Sequence, residues 1–243
     1  MNNTALLIST YDGAEDLWFP LEQTYRKFWP DLNMPVYLTT NKKDFNSQIF
    51  KSLKIGEEIS WSDNIIKSLH KVEEDFVLLT FDDLFLNSLV DNDKVKSLMQ
   101  FAIEKDINYL QFYRSISIGK RVNRLLFKKN KSTYYKNSTV WSFWKKEVLI
   151  DLLVDNESAW EFEIEGNKRA IKFDDFYSTR YNMIPFLNGV IKGKWNPIVK
   201  NKLLKIGVQI EGGRESLSFF QTIVYKFRDM QFDLITYIIH KIF

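Results

Sequence analysis

Apolar and polar positions fall along this chain in blocks that alternate between strand and helix patterns. Residues 5–9 are apolar and run into Thr10-Tyr11-Asp12-Gly13, the mark of a buried strand ending in a polar turn. Leu17, Trp18, Leu21, Tyr25 and Phe28 then recur at helical spacing, after Glu15 and Asp16, which suit a helix N-terminus, and before Pro30, which ends it. Residues 35–40 predict a second strand. Ser62 reads as an N-cap, with Asp63 in the first turn and Ile65, Ile66 and Leu69 on one face. The run Phe76-Val77-Leu78-Leu79-Thr80-Phe81 is the strongest strand signal, and its nearly unbroken apolar character predicts burial of both faces, as in a parallel sheet between helices. Asp91 or Asp93 opens a helix that sets Val95, Leu98, Met99, Ala102 and Ile103 on one side. Residues 109–113 and 139–143 predict further strands, and 147–153 a helix. This alternation predicts an α/β fold with a central, mostly parallel, Rossmann-like sheet flanked by helices.

The last segment differs. Phe220, Val224, Phe227, Met230, Leu234 and Ile238 follow a helical period, with Lys226, Arg228 and Lys241 among them. That predicts one or two amphipathic helices, packed on the domain or a partner chain, or lying in a membrane interface. The expected division is a domain over residues 1–211 and an amphipathic appendage over 212–243, with Gly212-Gly213 allowing positive φ between them. There is no internal repeat and no Pro/Gly/Ser-rich linker.

Composition narrows the classes. The 243 residues are 45% hydrophobic and 27% charged, which excludes a disordered or collagen-like chain. The absence of cysteine excludes a disulfide scaffold and Cys-ligated zinc or iron–sulfur sites, and it fits a reducing compartment. Aromatic residues reach 16%, enough for ring-lined pockets. Met1-Asn2-Asn3-Thr4 lacks the basic start of a signal peptide, and no run approaches the roughly 18 apolar residues of a spanning helix. The expected location is cytoplasmic, or peripheral on the inner face of the cytoplasmic membrane.

The net charge of +3 announces no partner, but its distribution does. Residues 57–93 hold ten acidic side chains against Lys67 and Lys71; residues 114–131 hold seven basic side chains and no acid. Residues 192–214 hold six basic side chains against Glu211. An acidic centre between basic segments suits a site where carboxylates hold a cation and Lys or Arg hold phosphates. Solvated surface faces would give the same runs.

Asp82 and Asp83 stand where the strongest strand stops. Ligands of open parallel sheets bind outside the carboxyl ends of the strands. Adjacent carboxylates repel, so a divalent cation or a proton between them would favour such a pair; the plain alternative is one turn cap and one solvated acid. Tyr11 and Asp12 end the first strand, where a ring can stack on a base and a carboxylate can accept from ribose hydroxyls or a uracil N–H. Asp174-Asp175 reads as a second, surface pair, and Asn137-Ser138-Thr139 as a chance sequon.

Trp61-Ser62-Asp63 followed by Phe76–Phe81 and Asp82-Asp83-Leu84-Phe85-Leu86 resembles bacterial GT-A-type glycosyltransferases of capsule and O-antigen clusters, which carry an acidic metal-binding motif, often Asp-x-Asp, at this strand end. Ala159-Trp160-Glu161-Phe162-Glu163 resembles their Trp-Glu-Phe-Glu run, and Asn188-Gly189-Val190-Ile191-Lys192-Gly193-Lys194-Trp195 their Gly-Lys-Trp element. The resemblance spans residues 5–210. It departs from the family in having only the two acids of Phe81-Asp82-Asp83, which leaves open which of them binds metal, and whether metal is used.

The resemblance implies a sugar transferred from a nucleotide-sugar donor, UDP-linked, to a glycan or lipid-linked acceptor in surface polysaccharide synthesis. Thr10, Tyr11, Asp12, Trp61, Asp82 and Lys194 would bind the donor, and Asp82 and Asp83 a divalent cation, Mn²⁺ or Mg²⁺. Glu161, or else Glu163, would be the base of an inverting reaction; the two are about 200° apart on a helix, so one of them faces the site. A C-terminal histidine ligand would have to be His240, and its place in the amphipathic tail argues against that role. Further partners are a membrane surface, through residues 216–243, and a second copy of the chain. Nucleic acid is not expected, but a metal-dependent phosphoryl-transfer enzyme or nuclease remains the alternative enzyme class. A non-catalytic assembly protein is the alternative outside catalysis.

Overall fold

The computed structural model describes residues 3–115, 119–131, 133 and 135–242, with the side chains of residue 229 and of most residues after 231 left out. A nine-stranded sheet forms the centre. Its strands in chain order are β1 (Thr4–Ser9), β2 (Val36–Thr40), β3 (Phe50–Lys54), β4 (Phe76–Phe81), β6 (Tyr109–Gln111), β7 (Lys120–Arg121), β8 (Leu126–Lys128), β9 (Ser142–Lys145) and β10 (Phe176–Thr179). The spatial order is β3-β2-β1-β4-β9-β6-β10-β8-β7. Strands β1 to β4 are mutually parallel and β10 is parallel to β6; β9 and β8 run against the rest. The sheet is therefore mostly parallel in strand direction, and most of its carboxyl ends share one edge.

The helices are α1 (Glu15–Phe28), α2 (Trp61–Lys71), α3 (Asn92–Glu104), α4 (Lys146–Leu152), α5 (Ala159–Arg169), α6 (Pro197–Lys205) and α7 (Phe219–Ile242). Side-chain alternation along the strands divides the core in two. Leu6, Ile8, Leu78 and Leu110 meet Leu17, Trp18 and Leu21 of α1 and Val95, Leu98 and Met99 of α3. Ala5, Leu7, Val77, Leu79 and Tyr109 meet Ile65 and Leu69 of α2, Val148 and Leu149 of α4 and Phe162 of α5. Both faces of β1 and β4 are thus covered by helices, and this double burial is what their unbroken apolar runs require.

Two short sheets complete the domain. One pairs β5 (Leu84–Leu86) with β11 (Phe186–Asn188); the other pairs β12 (Val190–Ile191) with β13 (Lys194–Trp195). The β12–β13 hairpin turns through Lys192 and Gly193, both at positive φ, as tight two-residue hairpin turns demand.

Local chemistry shifts three expected boundaries. α2 starts at Trp61, because Ser60 rather than Ser62 caps it: the Asp63 N–H donates to the Ser60 hydroxyl. Asp91, not Asp93, caps α3. Residues 217–243 form one helix instead of two, and residues 214–217 before it belong to the domain: the Trp195 N–H donates to the Glu215 carbonyl, and the Leu217 N–H donates to that of Trp195. Gly212 takes the expected positive φ, at 98°. Asn137 is fully buried, with its amide donating to the Phe162 carbonyl, so the sequon lies inside the fold. Asp174 and Asp175 pair with Lys131 and Lys128 at the start of β10, a surface feature as expected.

Phe162 ties α5 to the sheet, its ring 5.4 Å from that of Trp61 and 6.2 Å from that of Trp144. Phe162→Ala is expected to lower unfolding stability by about 3–5 kcal/mol. Trp160→Ala, two residues earlier at a side chain 65% exposed, is expected to stay within about 0.5 kcal/mol of wild type. Urea titration of the two variants checks the contrast.

Candidate functional site

Local structure at the ends of β1 and β4 follows from one buried carboxyl group. Asp82 is 9% exposed, at the first position after β4. Its Oδ2 accepts from the Thr10 hydroxyl, and Thr10 Oγ1 accepts in turn from the Trp18 indole N–H at 2.9 Å. The Asp82 N–H donates to the Ser9 carbonyl at 3.3 Å, continuing the β1–β4 ladder by one step. Burial drives the Asp82 carboxyl up to about 8, and the neighbouring Asp83 charge adds to the rise. Burial likewise raises Asp83, to about 6.

The nearest guanidinium does not pair with either acid. Arg214 donates through Nε and Nη2 to the two carboxylate oxygens of Asp16 at 2.8 and 2.6 Å, and through Nη1 to the Gly193 carbonyl at 3.0 Å. It lowers both raised carboxyls only through space. With Gly13, Asp16, Lys192, Gly193, Lys194, Gly213 and Glu215, it lines an open cavity of about 550 Å³. Lys194 is there, paired with Glu215 at 2.7 Å. The Gly189 N–H donates to the Asp83 carbonyl at 2.7 Å, so the Gly-Lys-Trp element holds the acidic turn through its backbone. A side chain at Gly189 would enter the Phe85 ring, which stacks on Trp195 at 5.4 Å.

The other expected donor residues lie on the same edge, in different states. Tyr11 is 43% exposed, and its ring lies so close over Gly13 that any Cβ there would displace it. The Asp12 carboxylate accepts from the backbone N–H groups of Asn41, Lys42 and Lys43, so it shapes the loop after β2. Trp61 donates from its indole to the Ser9 hydroxyl at 3.1 Å and stacks on Phe81, closing the side of the edge toward α5.

The two glutamates separate as a helix requires. Glu161 completes the capping box of α5: its Oε2 accepts from the Ser158 N–H at 2.8 Å, and these contacts hold its carboxyl below the usual range. Glu163 points the other way. Its Oε1 accepts from the Ser138 hydroxyl, the Thr139 N–H and the Thr139 hydroxyl at 2.8, 2.7 and 3.0 Å, and its other oxygen accepts no hydrogen bond among the described residues. It lines a second cavity, of about 430 Å³, with Gln111, Tyr113, Ser115, Tyr135, Ser138 and Trp160.

Under that cavity lies Lys129, 4% exposed. Its ammonium donates to Gln111 Oε1 at 2.6 Å, to the Lys136 carbonyl at 2.9 Å, and more distantly to Ser115 Oγ and the Tyr135 carbonyl. Burial lowers it to about 7, against the opposing pull of Glu163. The residues missed by sequence reasoning are these and Arg214. Gln111 and Tyr113 stand at the carboxyl end of a recognised strand, where the argument used for Asp82 applies equally. Arg214 carried no local signal.

Among the described residues no group of three or more His, Cys, Asp or Glu gathers as a metal cage, and the side chain of His240 lies outside them. Asp82 and Asp83 nonetheless suit a cation that completes its shell with ligand phosphates and water, since Mg²⁺ sites commonly use one or two carboxylates in this way. The two raised carboxyls are the mark of charge lacking compensation.

No protein-family model matches this chain, and no curated protein matches it closely enough to count. Solved structures do. S. aureus TarS 1–349 superposes with a TM-score of 0.52 at 12% identity, covering 76% of this chain and 59% of its own. The mannosyltransferase PcManGT from Pyrobaculum calidifontis, solved with GDP-Man and Mn²⁺, gives 0.53 at 9% identity, covering 87% and 65%. The fold is GT-A-like. A UDP-glucose pyrophosphorylase solved with UDP-glucose gives 0.50 at 7% identity over 77% of this chain and 92% of its own. This chain therefore spans less than two thirds of the TarS fragment and of the mannosyltransferase.

A pH test follows from the acidic pair. An ordinary Asp titrates near 3.9, whereas Asp82 titrates at about 8 in the folded chain. Between those values the folded state holds a proton that the unfolded state has lost, so stability is full below about pH 4 and falls as pH rises toward 8. In chelator, Asp82→Asn is expected to flatten this fall by about 1.4 kcal/mol per pH unit. Denaturant titrations from pH 5 to 8 read the slope, and equal slopes in the two proteins would refute the assignment.

Proposed function

We infer that this chain is a glycosyltransferase that moves a sugar from a nucleotide-sugar donor to a glycan or lipid-linked acceptor with inversion. The observation that carries the reading is Glu163. Its carboxylate, held by three donors on one oxygen, faces a ring-lined cavity beside the acidic pair that ends β4. The two sites are separate but adjacent: β4 and β6 are divided only by β9, so their ends stand about 10 Å apart.

The donor occupies the ends of β1 and β4. Tyr11 offers a ring face to the base, while Lys192, Lys194 and the Arg214–Asp16 pair offer cationic donors to the diphosphate. A divalent cation held by Asp82, Asp83 and the diphosphate would offset the charge growing on the leaving oxygen. The acceptor hydroxyl enters the second cavity, where exposed Trp160, with Tyr113 and Tyr135, gives rings for the apolar face of a sugar. Glu163 takes the hydroxyl proton as that oxygen bonds to the anomeric carbon, and the bond from that carbon to the diphosphate breaks. The oxocarbenium-like centre forms between the two sites. Glu161 is left out of the chemistry because its carboxylate is spent on the helix cap.

α7 supports a surface role. Phe219, Phe220, Ile223 and Phe227 stand exposed near Lys226 and Arg228, a pattern that fits the boundary of an anionic bilayer. No helix among the described residues is long and apolar enough to span a membrane. Removing residues after 218 is expected to abolish co-sedimentation with vesicles containing phosphatidylglycerol and to leave nucleotide binding in place.

The decisive experiment is a thermal-shift and donor-hydrolysis screen over UDP-, GDP- and CMP-sugars, with and without Mn²⁺. One nucleotide should stabilise the protein in a metal-dependent way, and Asp83→Ala should remove that effect. With the acceptor identified, Glu163→Gln is expected to lower turnover by about 10²–10⁴-fold, and Glu161→Gln to leave it within a few fold. Silence of the whole panel with a folded protein would defeat the reading.

A further inference from the structure

The basic run of residues 114–131 has no part in the site described above, and the fold sorts its charges between the two edges of the sheet. At the amino end of β10, Asp175 pairs with Lys128 at 2.6 Å and Asp174 with Lys131 at 3.0 Å. Lys129 is buried and fully occupied by protein oxygens. Those three cations are satisfied by the chain itself.

Lys120, Arg121 and Arg124 are not. All three are exposed, and none has a carboxylate partner among the described residues; Arg121 donates only to the Asn123 carbonyl. Lys120 also stands directly opposite Lys128 in the β7–β8 pairing, a like-charge cross-strand position that costs stability. Lysine on an edge strand guards against edge-to-edge pairing, which would account for Lys120 alone. Arg124 lies beyond the strands, in the turn that joins them.

That turn reaches the functional edge. Leu126 of β8 pairs with Thr179 at the carboxyl end of β10, and the Arg180 N–H donates to the Leu125 carbonyl. β10 is parallel to β6, whose end supplies Gln111 to the Glu163 cavity. The β7–β8 turn therefore stands on the same edge as that cavity, two strands further out, about 10 Å away. No acid occurs between Arg114 and Lys131, nor between Phe176 and Glu211.

We propose that the β7–β8 hairpin, through Lys120, Arg121 and Arg124, is an anion-binding rail for the acceptor, which is accordingly a polyanionic glycan or polyol chain carrying phosphate or carboxylate groups along its length. The proposal rests on the reading of the Glu163 cavity as the acceptor site: a chain whose reacting hydroxyl lies at Glu163 runs its next units over this hairpin. It names a substrate class, where the cavity alone specifies only a hydroxyl and a ring face.

The test uses the full chain and a short inorganic polyphosphate as probe, titrated calorimetrically at 50 and 200 mM salt, with a neutral dextran oligomer as control. Wild type is expected to bind polyphosphate with marked weakening at the higher salt, and to bind it at least tenfold more tightly than the Lys120→Ala/Arg121→Ala/Arg124→Ala variant. A Lys192→Ala/Lys194→Ala variant should keep the polyphosphate affinity and lose nucleotide-sugar affinity. Equal polyphosphate binding by the hairpin variant and wild type overturns the proposal, as does its loss in the Lys192/Lys194 variant alone. An oligothymidylate of equal charge that binds the hairpin more tightly than polyphosphate overturns it in favour of nucleic acid. Nucleotide-sugar binding, read in the same proteins, decides the donor reading separately: the hairpin variant must retain it.

Discussion

The arrangement of this molecule turns on a carboxyl group buried at the end of an apolar strand. A buried, uncompensated carboxylate is costly enough that proteins ordinarily protonate or pair it. Here the only near guanidinium, Arg214, is committed to Asp16 and the Gly193 carbonyl, and Asp82 is left with the Thr10 hydroxyl. Thr10 is held by Trp18 of α1, Asp83 by the Gly189 backbone, and Arg214 by the first turn of α1. Three remote stretches of the chain thus converge to keep an acidic pair where water is scarce and positive charge is near but not bonded. Such an arrangement favours whatever brings positive charge or a proton to the pair, and that is its chemical use.

The pieces of this convergence differ in how far the sequence revealed them. β1, β4 and α1 were legible because burial of both faces, or of one helical stripe, leaves a periodic trace. Asp82 and Asp83 were legible because polarity changes abruptly where an apolar run stops. Arg214 was not: its partner Asp16 is nearly two hundred residues away, and a single arginine after two glycines has no period or spacing to betray it. The short strands β5, β7, β8 and β10 to β13 escaped for a related reason. With two to four residues each, they are too brief to show alternation, and long-range pairing alone makes them strands.

Glu161 and Glu163 show the limit of reasoning from residue type. Both are carboxylates one turn into the same helix, and nothing intrinsic ranks them. Ser158 settles the matter by recruiting Glu161 into a capping box, which uses that carboxylate to satisfy a backbone N–H. The helical rotation then directs Glu163 to the opposite side, against Ser138 and Thr139. The S-x-x-E spacing from Ser158 to Glu161 is the signature of that cap, so the signal was present and needed only to be weighed against the catalytic one.

The same helix explains how two sites on different strands can be held in register. Phe162 sits between the two glutamates and is fully buried, against Trp61 and Trp144. Trp61 in turn stacks on Phe81 and bonds Ser9, the residues that immediately precede the acidic pair and Thr10. The separation between Glu163 and Asp82 is therefore set by packed aromatic rings and not by loop conformation. Close-packed interiors resist small displacements, and a proton-transfer group misplaced by an ångström loses much of its effect. On this argument the high aromatic content serves placement first. The rings that would touch a ligand, Tyr11 and Trp160, are few beside those that hold the two carboxylate sites apart at a constant distance.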